Sequence, residues 1–386
     1  MLNENDFVLI AKQAEQLYSG LELEIIEEIA ERIANVGYAN TVVHNDAMIL
    51  QELGVLYQDV ITLVAKYNNE TEEKIRTIFE EAGIKSISKD DMIYRYAGLN
   101  PVPLKRSRSL SQLLVAEMEK THYNLSRLTM TTAQSSEIQF LNSMNKAYLE
   151  VSTGVKSYSQ SIIDIVKGVS KKGTVVTYNT VLPNGQNLTR SLESAVRMNV
   201  VTSVNQTCGK LQELRADEMG WDLVEVSAHS GARPEHAEWQ GKVYSLKGLT
   251  KGYKTLEEAC DYGKVTGLCG VNCRHTFFPY YRGSTKTYTS EELAEMKKET
   301  VTYNGQKIKK YDATQIQRSM ERKIRQNKKD IAGLQGILTS DNKDIDIEQT
   351  QKELKEQRAK LKENRNQLND FLEQTGFRID NSRLVI

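Results

Sequence analysis

The sequence predicts a mainly α-helical protein with a small central α+β domain, long N-terminal helices and a C-terminal coiled helical hairpin. Three observations predict this fold class. Apolar residues recur at three- and four-residue steps through most of residues 1–169. Between residues 170 and 310, that pattern gives way to alternating strand-like segments and turn signals. After residue 310, leucines recur at seven-residue spacing, as they do in paired coiled helices.

Length and composition limit the organisation and the class of protein. The 386 residues suffice for two or three domains, and the pattern changes place them at residues 1–169, 170–310 and 311–386. Lys plus Arg and Asp plus Glu both total 51. This neutral balance argues against a general DNA-binding protein, because affinity for phosphates comes from clustered cations. The N-terminus lacks the pattern of a secretory signal, and no transmembrane helix is expected.

Helical periodicity organises the N-terminal domain. The predicted helices cover residues 7–36, 46–67, 70–82 and 109–169. Asn5 or Asp6 is the expected N-cap of the first helix, because short polar side chains accept hydrogen bonds from the first turn. Gly83 is expected to end the third helix, since glycine commonly follows the last helical residue. The segment Asn100-Pro101-Val102-Pro103 breaks the pattern before helical periodicity returns.

The central domain mixes strands and helices. Strands are predicted at residues 174–178, 223–227 and 242–245, where β-forming residues cluster between turn signals. Pro183-Asn184-Gly185 predicts a turn, followed by a helix that begins near Leu188 and continues over residues 192–219. Residues 301–308 predict a hairpin, because the Asn304-Gly305 pair suits the positive φ angles of a type I′ turn.

The C-terminal domain is predicted to be two antiparallel helices joined by a turn at residues 340–342. Its basic run is interpreted as a solvated helix face, because nearby acidic residues offset the charge. The run comprises Arg322, Lys323, Arg325, Lys328 and Lys329. The hairpin contains few histidines, cysteines or aromatic residues, so it is not expected to contribute to a pocket.

Two short segments of the central domain, residues 228–244 and 269–279, concentrate the chemically versatile side chains. They hold three of the five histidines and two of the four cysteines. In a reducing compartment cysteines are thiols or metal ligands, and zinc prefers four Cys and His ligands in tetrahedral geometry. The clustering therefore leads to the hypothesis of a structural zinc site with its ligands among His229, His236, Cys269, Cys273 and His275, and no cofactor is firmly assigned.

The same residues allow other interpretations. Buried cysteines also act as small apolar side chains, with histidines as hydrogen-bonded scaffolding. Cys269 or Cys273 paired with a histidine base would form a nucleophile. His229 together with Glu235 or Glu238 would form an acid–base pair. Residue types and spacing leave all of these alternatives open.

The two segments, GARPEHAEWQGKVYS and CGVNCRHTFFPYYRG, resemble the core of the phage minor capsid protein 2 family, which is similar to MuF-type head morphogenesis domains. The matching positions are Arg197, Arg233, Trp239, Gly241, Asn272, Cys273, Arg274 and Pro279, with Lys242, Val243 and Tyr244 after the first motif and Arg190 and Thr202 before it. Many MuF-type domains carry a cysteine pair in the first motif, where this chain has Arg233 and His236. The resemblance covers most of the chain, with sharp motifs between about residues 190 and 283.

The resemblance implies a structural protein of a tailed phage head and not an enzyme. It implies a place in the capsid interior near the portal vertex, synthesis in the host cytoplasm, and a role in head assembly and DNA packaging or ejection. The implied partners are the portal protein, the major capsid protein and, non-specifically, packaged double-stranded DNA, with homo-oligomers allowed and no membrane in the assembled head. The alternative is a virion-delivered metal-dependent hydrolase or toxin-like enzyme within residues 170–310.

The aromatic residues of the two motifs are expected to be core or interface anchors. They are Trp239, Tyr244, Phe277, Phe278 and Tyr280. Large aromatic side chains bury much apolar surface, so a small domain depends on them for its stability.

Overall fold

Helices make up most of the chain, as the sequence predicts. The computed structural model describes residues 2–18, 20–36, 42–153, 155–173, 175–181, 187–379 and 384. Its helices are α1 (Glu4–Leu17), α2 (Leu21–Asn35), α3 (Val42–Tyr96), α4 (Arg108–Ser152), α5 (Tyr158–Lys172), α6 (Leu192–Glu218), α7 (Leu256–Cys260), α8 (Ser290–Lys298), α9 (Lys310–Thr339) and α10 (Ile347–Thr375). Its strands are β1 (Val175–Val181), β2 (Asn187–Ser191), β3 (Leu223–Val226), β4 (Val243–Ser245), β5 (Phe277–Pro279), β6 (Thr300–Tyr303) and β7 (Gln306–Lys309). The predicted fold class, mainly α with a small α+β region, is confirmed.

The first predicted helix is two helices, which corrects the expectation of one helix over residues 7–36. Gly20 separates α1 from α2 with a φ of 92°, a conformation that glycine adopts without strain. The cap of α1 is Asn3 and not Asn5 or Asp6. The Asn3 side chain accepts from the backbone N–H of Asp6 at 3.1 Å, and the Asp6 carboxylate accepts from the backbone N–H of Asn3 at 2.8 Å. This reciprocal capping box fixes the start of α1.

The predicted stop at Gly83 is wrong, because α3 runs through it and joins the second and third predicted helices. A Cβ atom at Gly83 would lie 3.3 Å from the side chains of both Leu114 and Leu211. Glycine therefore allows α4 and α6 to pack closely against α3 at this point. The predicted break at residues 100–103 is confirmed and precedes a short 3-10 turn at Leu104–Arg106. The fourth predicted helix is divided into α4 and α5.

One segment of α3 departs from the expectation of no membrane-spanning helix. Met48–Tyr96 contains an 18-residue window with a mean hydropathy of 1.3, and only 22% of that window is buried. Length and composition alone make the segment a candidate span, but helices at the core of globular proteins meet the same criteria. Leu56, Val60 and Val64 of this segment are buried in the helical core. Of the neighbouring apolar side chains, Met48, Leu53, Ile61 and Leu63 are half-buried against the same core, whereas Leu50 and Val55 are exposed.

The α+β region is built on a three-stranded antiparallel sheet with β3 at its centre. Val224 of β3 lies opposite Tyr244 of β4 on one side and Pro279 of β5 on the other. The two motif segments thus each contribute one strand next to β3. All five predicted aromatic anchors are buried, with exposed fractions between 1% and 8%.

Two hairpins flank this sheet. The hairpin of β6 and β7 turns at Asn304 and Gly305, whose φ angles of 49° and 75° confirm the predicted type I′ turn. The β1–β2 hairpin confirms the first predicted strand. However, residues 187–191 form β2, so the helix predicted from Leu188 begins only at Leu192. The predicted turn at Pro183-Asn184-Gly185 lies outside the described residues.

Apolar packing crosses the predicted domain boundaries at residues 169 and 310. The largest apolar cluster contains residues of α1 to α6 and also Leu334 of α9 and Leu354 of α10. A second cluster fills the α+β region, and a third lies between the β6–β7 hairpin and the C-terminal helices. The antiparallel hairpin of α9 and α10 is therefore confirmed, and α9 also completes the core of the N-terminal helices. The boundaries themselves stay predictions.

Candidate metal centre

Three of the five predicted zinc ligands meet at the edge of the α+β cluster. The Nδ1 atoms of His236 and His275 and the Sγ atom of Cys273 lie within 4.8 Å of one another. Cys273 Sγ is 3.8 Å from the first nitrogen and 3.7 Å from the second. In a tetrahedral zinc site with ordinary bond lengths, a nitrogen and a sulfur ligand are about 3.5 Å apart. The three atoms are thus spaced to hold a tetrahedral ion after a small adjustment.

Each imidazole of this triad is oriented by a hydrogen bond at its other nitrogen. His236 Nε2 lies 2.9 Å from the carbonyl oxygen of Thr266, and His275 Nε2 lies 2.9 Å from Oε1 of Gln240. Since both partners are oxygens that accept, both Nε2 atoms carry the proton. Gln240 Oε1 also accepts from the backbone N–H of His229. The neutral rings therefore turn their Nδ1 lone pairs toward Cys273, as in metal sites whose histidines donate to a second acceptor.

The loop that carries Cys273 and His275 is tightly wound and fixed from one side by α6. Cys269 and Asn272 adopt φ angles of 58° and 54°, which are uncommon for residues other than glycine. Asn205 of α6 is fully buried, and its Nδ2 atom donates to the carbonyl oxygens of Cys273 at 3.0 Å and His275 at 3.2 Å. Asn205 therefore sets the position of both candidate ligands.

Burial favours the neutral form of all three side chains. Loss of water lowers the pKa of His236 and lowers the pKa of His275 well below its usual range. The same loss of water raises the pKa of the Cys273 thiol. Neutral imidazoles are the form that binds metals, whereas the thiol must lose its proton to a bound cation. A Cys–His nucleophile is disfavoured by the same raised pKa, because only the thiolate attacks.

Cys269 and His229 lie beside the triad but outside it. Cys269 Sγ is directed at the carbonyl oxygen of His275, at 3.8 Å. The His229 ring stacks on His275 with 4.3 Å between centroids, and its Nδ1 atom donates to the carbonyl oxygen of Ser230. Within the described part of the chain, the buried Nε2 atom of His229 has no hydrogen-bond partner. Glu238, the predicted acid–base partner of His229, forms an ion pair with Lys297 instead.

The triad forms part of the wall of a cationic cleft, a cavity of about 610 Å³ between α1, the start of α6, α9 and the loops after β3 and before β5. Among the described residues, nine basic side chains but only four carboxylates line it. The basic residues are Arg190, Arg197, Arg233, Arg274, Lys310, Arg318, Arg322, Arg325 and Lys329, and the acidic ones are Glu4, Glu15, Glu193 and Glu321. The excess of positive charge creates a potential that attracts anions.

The cleft corrects two expectations for the C-terminal hairpin. Arg325 and Lys329 of the basic run do not form a solvated face. Arg325 pairs with Glu193 at 3.0 Å, and Lys329, almost fully buried, pairs with Glu22 at 2.7 Å. The hairpin was not expected to contribute to a pocket, because it contains few histidines, cysteines or aromatic residues. It does line one, through the guanidinium and ammonium groups of α9. Burial raises the pKa of Glu193 to about 7, although Arg325 acts against that shift.

The motif arginines tie the α+β region to α1 and close its loops. Arg197 of α6 pairs with Glu15 of α1 at 2.6 Å, and Arg274 pairs with Glu4 at 3.7 Å. Arg233 donates to the carbonyl oxygen of Val271 at 2.7 Å, which connects the first motif to the second. These contacts place all three guanidinium groups around the cationic cleft.

The other motif residues shape the backbone around the triad. The Trp239 ring packs against His236 and His275, with centroid distances of 4.6 and 4.8 Å. Gly241 has a φ of 66°, and a Cβ atom there would lie 2.6 Å from Leu293, so glycine is required. The backbone N–H of Asn272 donates to Thr202 Oγ1 at 3.2 Å. Pro279 lies in β5 opposite Val224.

Sequence reasoning missed the residues that orient the ligands. Asn205, Gln240 and Thr266 act through an amide or a backbone carbonyl. Such groups occur throughout polar loops and helices, so no local pattern marks them. Gln240 lies within the first motif, and this placement is the one available signal.

Comparison with known proteins agrees with the motif resemblance. The family described as phage minor capsid protein 2 matches residues 2–373. A structural protein of Lactococcus phage LL-H is 25% identical over 330 residues, covering 81% of this chain and 82% of that protein. No solved structure matches the chain. The chain therefore belongs to the phage minor capsid protein 2 family and is a structural protein of a phage virion.

Proposed function

We propose that the protein lies inside the capsid near the portal vertex and contacts the portal and major capsid proteins during head assembly and DNA packaging or ejection. It would be made in the host cytoplasm and join the head there. One structural observation supports a protein-binding role: apolar side chains are exposed at the end of the α3–α4 pair that lies away from the three-stranded sheet. Exposed apolar patches on folded proteins mark contact surfaces.

This distal end is defined by residues near the start of α3 and the end of α4. Leu50 is 67% exposed, Ile138 58% and Leu149 62%. The two helices run antiparallel, because Asn68 of α3 accepts from Thr129 of α4, whereas Gly83, further along α3, lies against Leu114, which is earlier in α4. Asp91, near the end of α3, pairs with Arg215 of α6. A surface of this kind suits another helical protein, or a second copy of this chain.

A pull-down with purified portal protein and major capsid protein tests the proposal. We expect Leu50→Lys combined with Leu149→Lys to reduce capture of the partner at least tenfold, because each change places a charge in an apolar contact. The matched control is Leu249→Lys, since Leu249 is 75% exposed but lies in the α+β region. Equal capture by all variants, or no capture by the unmodified chain, would exclude the distal end as the contact.

Contact with packaged DNA is expected to be weak and non-specific. The net charge is zero, and several of the cations that line the cationic cleft are already paired with carboxylates. The alternative function, a metal-dependent hydrolase within residues 170–310, draws its support from the triad beside this cleft. A phosphoester-hydrolysis assay that loses activity in Cys273→Ala would favour that alternative.

A further inference from the structure

We propose that His236, Cys273 and His275 bind one zinc-class ion whose fourth coordination position faces the cationic cleft and takes water or an oxygen of a small phosphate-class anion. The inference goes beyond the structural role and does not depend on the portal contact. It also differs from a closed structural site, in which four protein ligands surround the ion.

The ligand set follows from geometry and hydrogen bonding together. Three buried ligand atoms converge, and both imidazoles have the tautomer that binding at Nδ1 requires. One thiolate with two imidazoles is a set that zinc accepts and that hard cations such as Mg²⁺ do not. Among His, Cys, Asp and Glu of the described residues, none supplies a fourth atom to the group. Three protein ligands with one remaining position are the pattern of zinc sites that exchange a ligand.

The ligand class follows from what surrounds the remaining position. His236, Cys273 and His275 all line the cationic cleft, so this position opens into it. Arg233 lines the same cleft and is held beside the loop of Cys273 by its hydrogen bond to the carbonyl oxygen of Val271 at 2.7 Å. In the described part of the chain, the buried Nε atom of Arg190 has no hydrogen-bond partner, and neither has Nε2 of His229. A tetrahedral oxyanion supplies acceptors for guanidinium donors and an oxygen for the metal.

The size of the cleft selects a small ligand. Its volume of about 610 Å³ lies within the range of about 300–1,000 Å³ that small-molecule sites occupy. A free phosphate or a mononucleotide fits such a volume, whereas a DNA duplex presents its phosphates on a surface much wider than the cleft. Both sources offer the same phosphate chemistry, so the experiment must separate them.

The first test measures zinc in the full-length protein, purified without chelator. We expect one zinc per chain, retained in Cys269→Ala and lost in Cys273→Ala. The two cysteines are equally buried in the same loop, so Cys269→Ala controls for the loss of a buried thiol. X-ray absorption of the unmodified protein gives the ligand set even if Cys273→Ala does not fold. One sulfur at about 2.3 Å and three nitrogen or oxygen neighbours at about 2.0–2.1 Å are expected. Absence of stoichiometric zinc, or two sulfur neighbours, would overturn the ligand set.

The second test uses the Co²⁺-substituted protein, whose visible absorption responds to a change in the fourth ligand. Inorganic phosphate and a mononucleotide are expected to shift the spectrum, and a short DNA duplex is not. Arg233→Gln should weaken phosphate binding at least tenfold while the zinc content stays at one per chain, whereas the exposed Arg282→Gln should leave both unchanged. A visible absorption spectrum that does not change when phosphate is added would contradict the proposal that the fourth coordination position exchanges its ligand. A shift produced by the duplex but not by the mononucleotide would overturn the assignment to a small ligand.

Discussion

At the scale of single residues, the chain buries ionisable side chains where helices meet, and each of them forms hydrogen bonds with only a few partners. Asp90 of α3 is 1% exposed and accepts from Gln212 of α6 at 2.8 Å. Gln212 also donates to the carbonyl oxygen of Phe277 in β5. One amide thus connects α3, α6 and the central sheet. Removing Gln212 would take one hydrogen bond from each of these buried groups, and an unsatisfied buried group costs about 1–3 kcal/mol.

The carboxyl group of Asp90 makes stability depend on pH. Burial raises its pKa to about 7, while Gln212 and Arg215 lower it and Asp91 raises it. In the unfolded chain the pKa is about 3.9. Because the folded-state pKa is raised, the contribution of Asp90 to stability is complete below pH 4 and is lost as the pH rises toward and through 7. The unmodified chain should lose on the order of 3 kcal/mol of this contribution between pH 4.5 and pH 8, and Asp90→Asn should not show that loss.

Urea unfolding at both pH values, followed by circular dichroism, measures this difference. The exposed Asp344→Asn serves as the control and should follow the unmodified chain. A parallel pH dependence in Asp90→Asn and the unmodified chain would show that this carboxyl group does not titrate between the two pH values.

Trp239 gives a second prediction at this scale. The side chain is 8% exposed and packs on the rings of two triad histidines. Trp239→Ala should lower the free energy of unfolding by about 3–5 kcal/mol, because the α+β region is too small to fill the resulting cavity. The measurement is thermal or urea unfolding with a chelator present, so that loss of a metal does not contribute. Tyr281→Ala, at a site 54% exposed, should change stability little, and native stability of Trp239→Ala would exclude Trp239 from the core.

At the scale of elements, close contact between α2 and α9 depends on glycine. A Cβ atom at Gly336 would lie 2.2 Å from the carbonyl oxygen of Glu27 and 2.9 Å from Ala30 Cβ. In an isolated helix, alanine is more favourable than glycine by about 1 kcal/mol. Here the clash with backbone outweighs that gain, so Gly336→Ala should destabilise the protein by about 1–3 kcal/mol.

The same substitution at Gly54 of α3 is expected to change the stability of the protein in the opposite direction. No atom lies within 4 Å of a Cβ placed there, so Gly54→Ala should stabilise the protein by up to about 1 kcal/mol. Comparing the two melting temperatures separates helix propensity from packing. Two shifts of the same sign would contradict the close approach of α9 to α2.

Element by element, the sequence predicts what depends on local pattern. The Asn304-Gly305 turn, the 340–342 turn between α9 and α10, and the break at residues 100–103 were all correct, because their residues restrict the backbone directly. The stop expected at Gly83 was wrong and the break at Gly20 was missed, both for one reason. Whether a glycine ends a helix or lets a neighbour approach depends on side chains far away in the chain, such as Tyr67 and Leu211. Local periodicity contains no information about those neighbours.

For the candidate site too, the local sequence pattern does not show which distant elements come together. The clustering of His and Cys in two motifs identified five residues, and the structure brings three of them together. The clustering did not indicate that α9 would supply cations to the cleft, because α9 is brought beside α1 and α6 by tertiary packing that no local pattern shows. Net charge was a poor guide for the same reason, since a neutral chain still concentrates cations where distant elements meet.

At the scale of the whole molecule, buried ion pairs join elements that are distant in sequence. Arg215 of α6, fully buried, pairs with Asp91 of α3 at 3.0 Å, and Lys329 of α9 pairs with Glu22 of α2 at 2.7 Å. Separating either pair would leave a buried charge without its partner, at a cost of about 3–5 kcal/mol. These pairs hold the helical core together, and α6 in turn donates hydrogen bonds to the carbonyl oxygens of Cys273 and Phe277 in the α+β region. We expect the chain to unfold as one cooperative unit.

The two tryptophans allow this expectation to be measured in the unmodified protein. Trp221 and Trp239 both lie in the α+β region, so their fluorescence reports on it, whereas far-ultraviolet circular dichroism reports mainly on the long helices. Both signals should give the same urea midpoint, because coincident transitions indicate two-state unfolding. In the Glu22→Gln variant the midpoints should fall together, since loss of the pair with Lys329 weakens the helical core on which the α+β region packs. Separate midpoints would mean that α6 joins the two regions without coupling their stabilities.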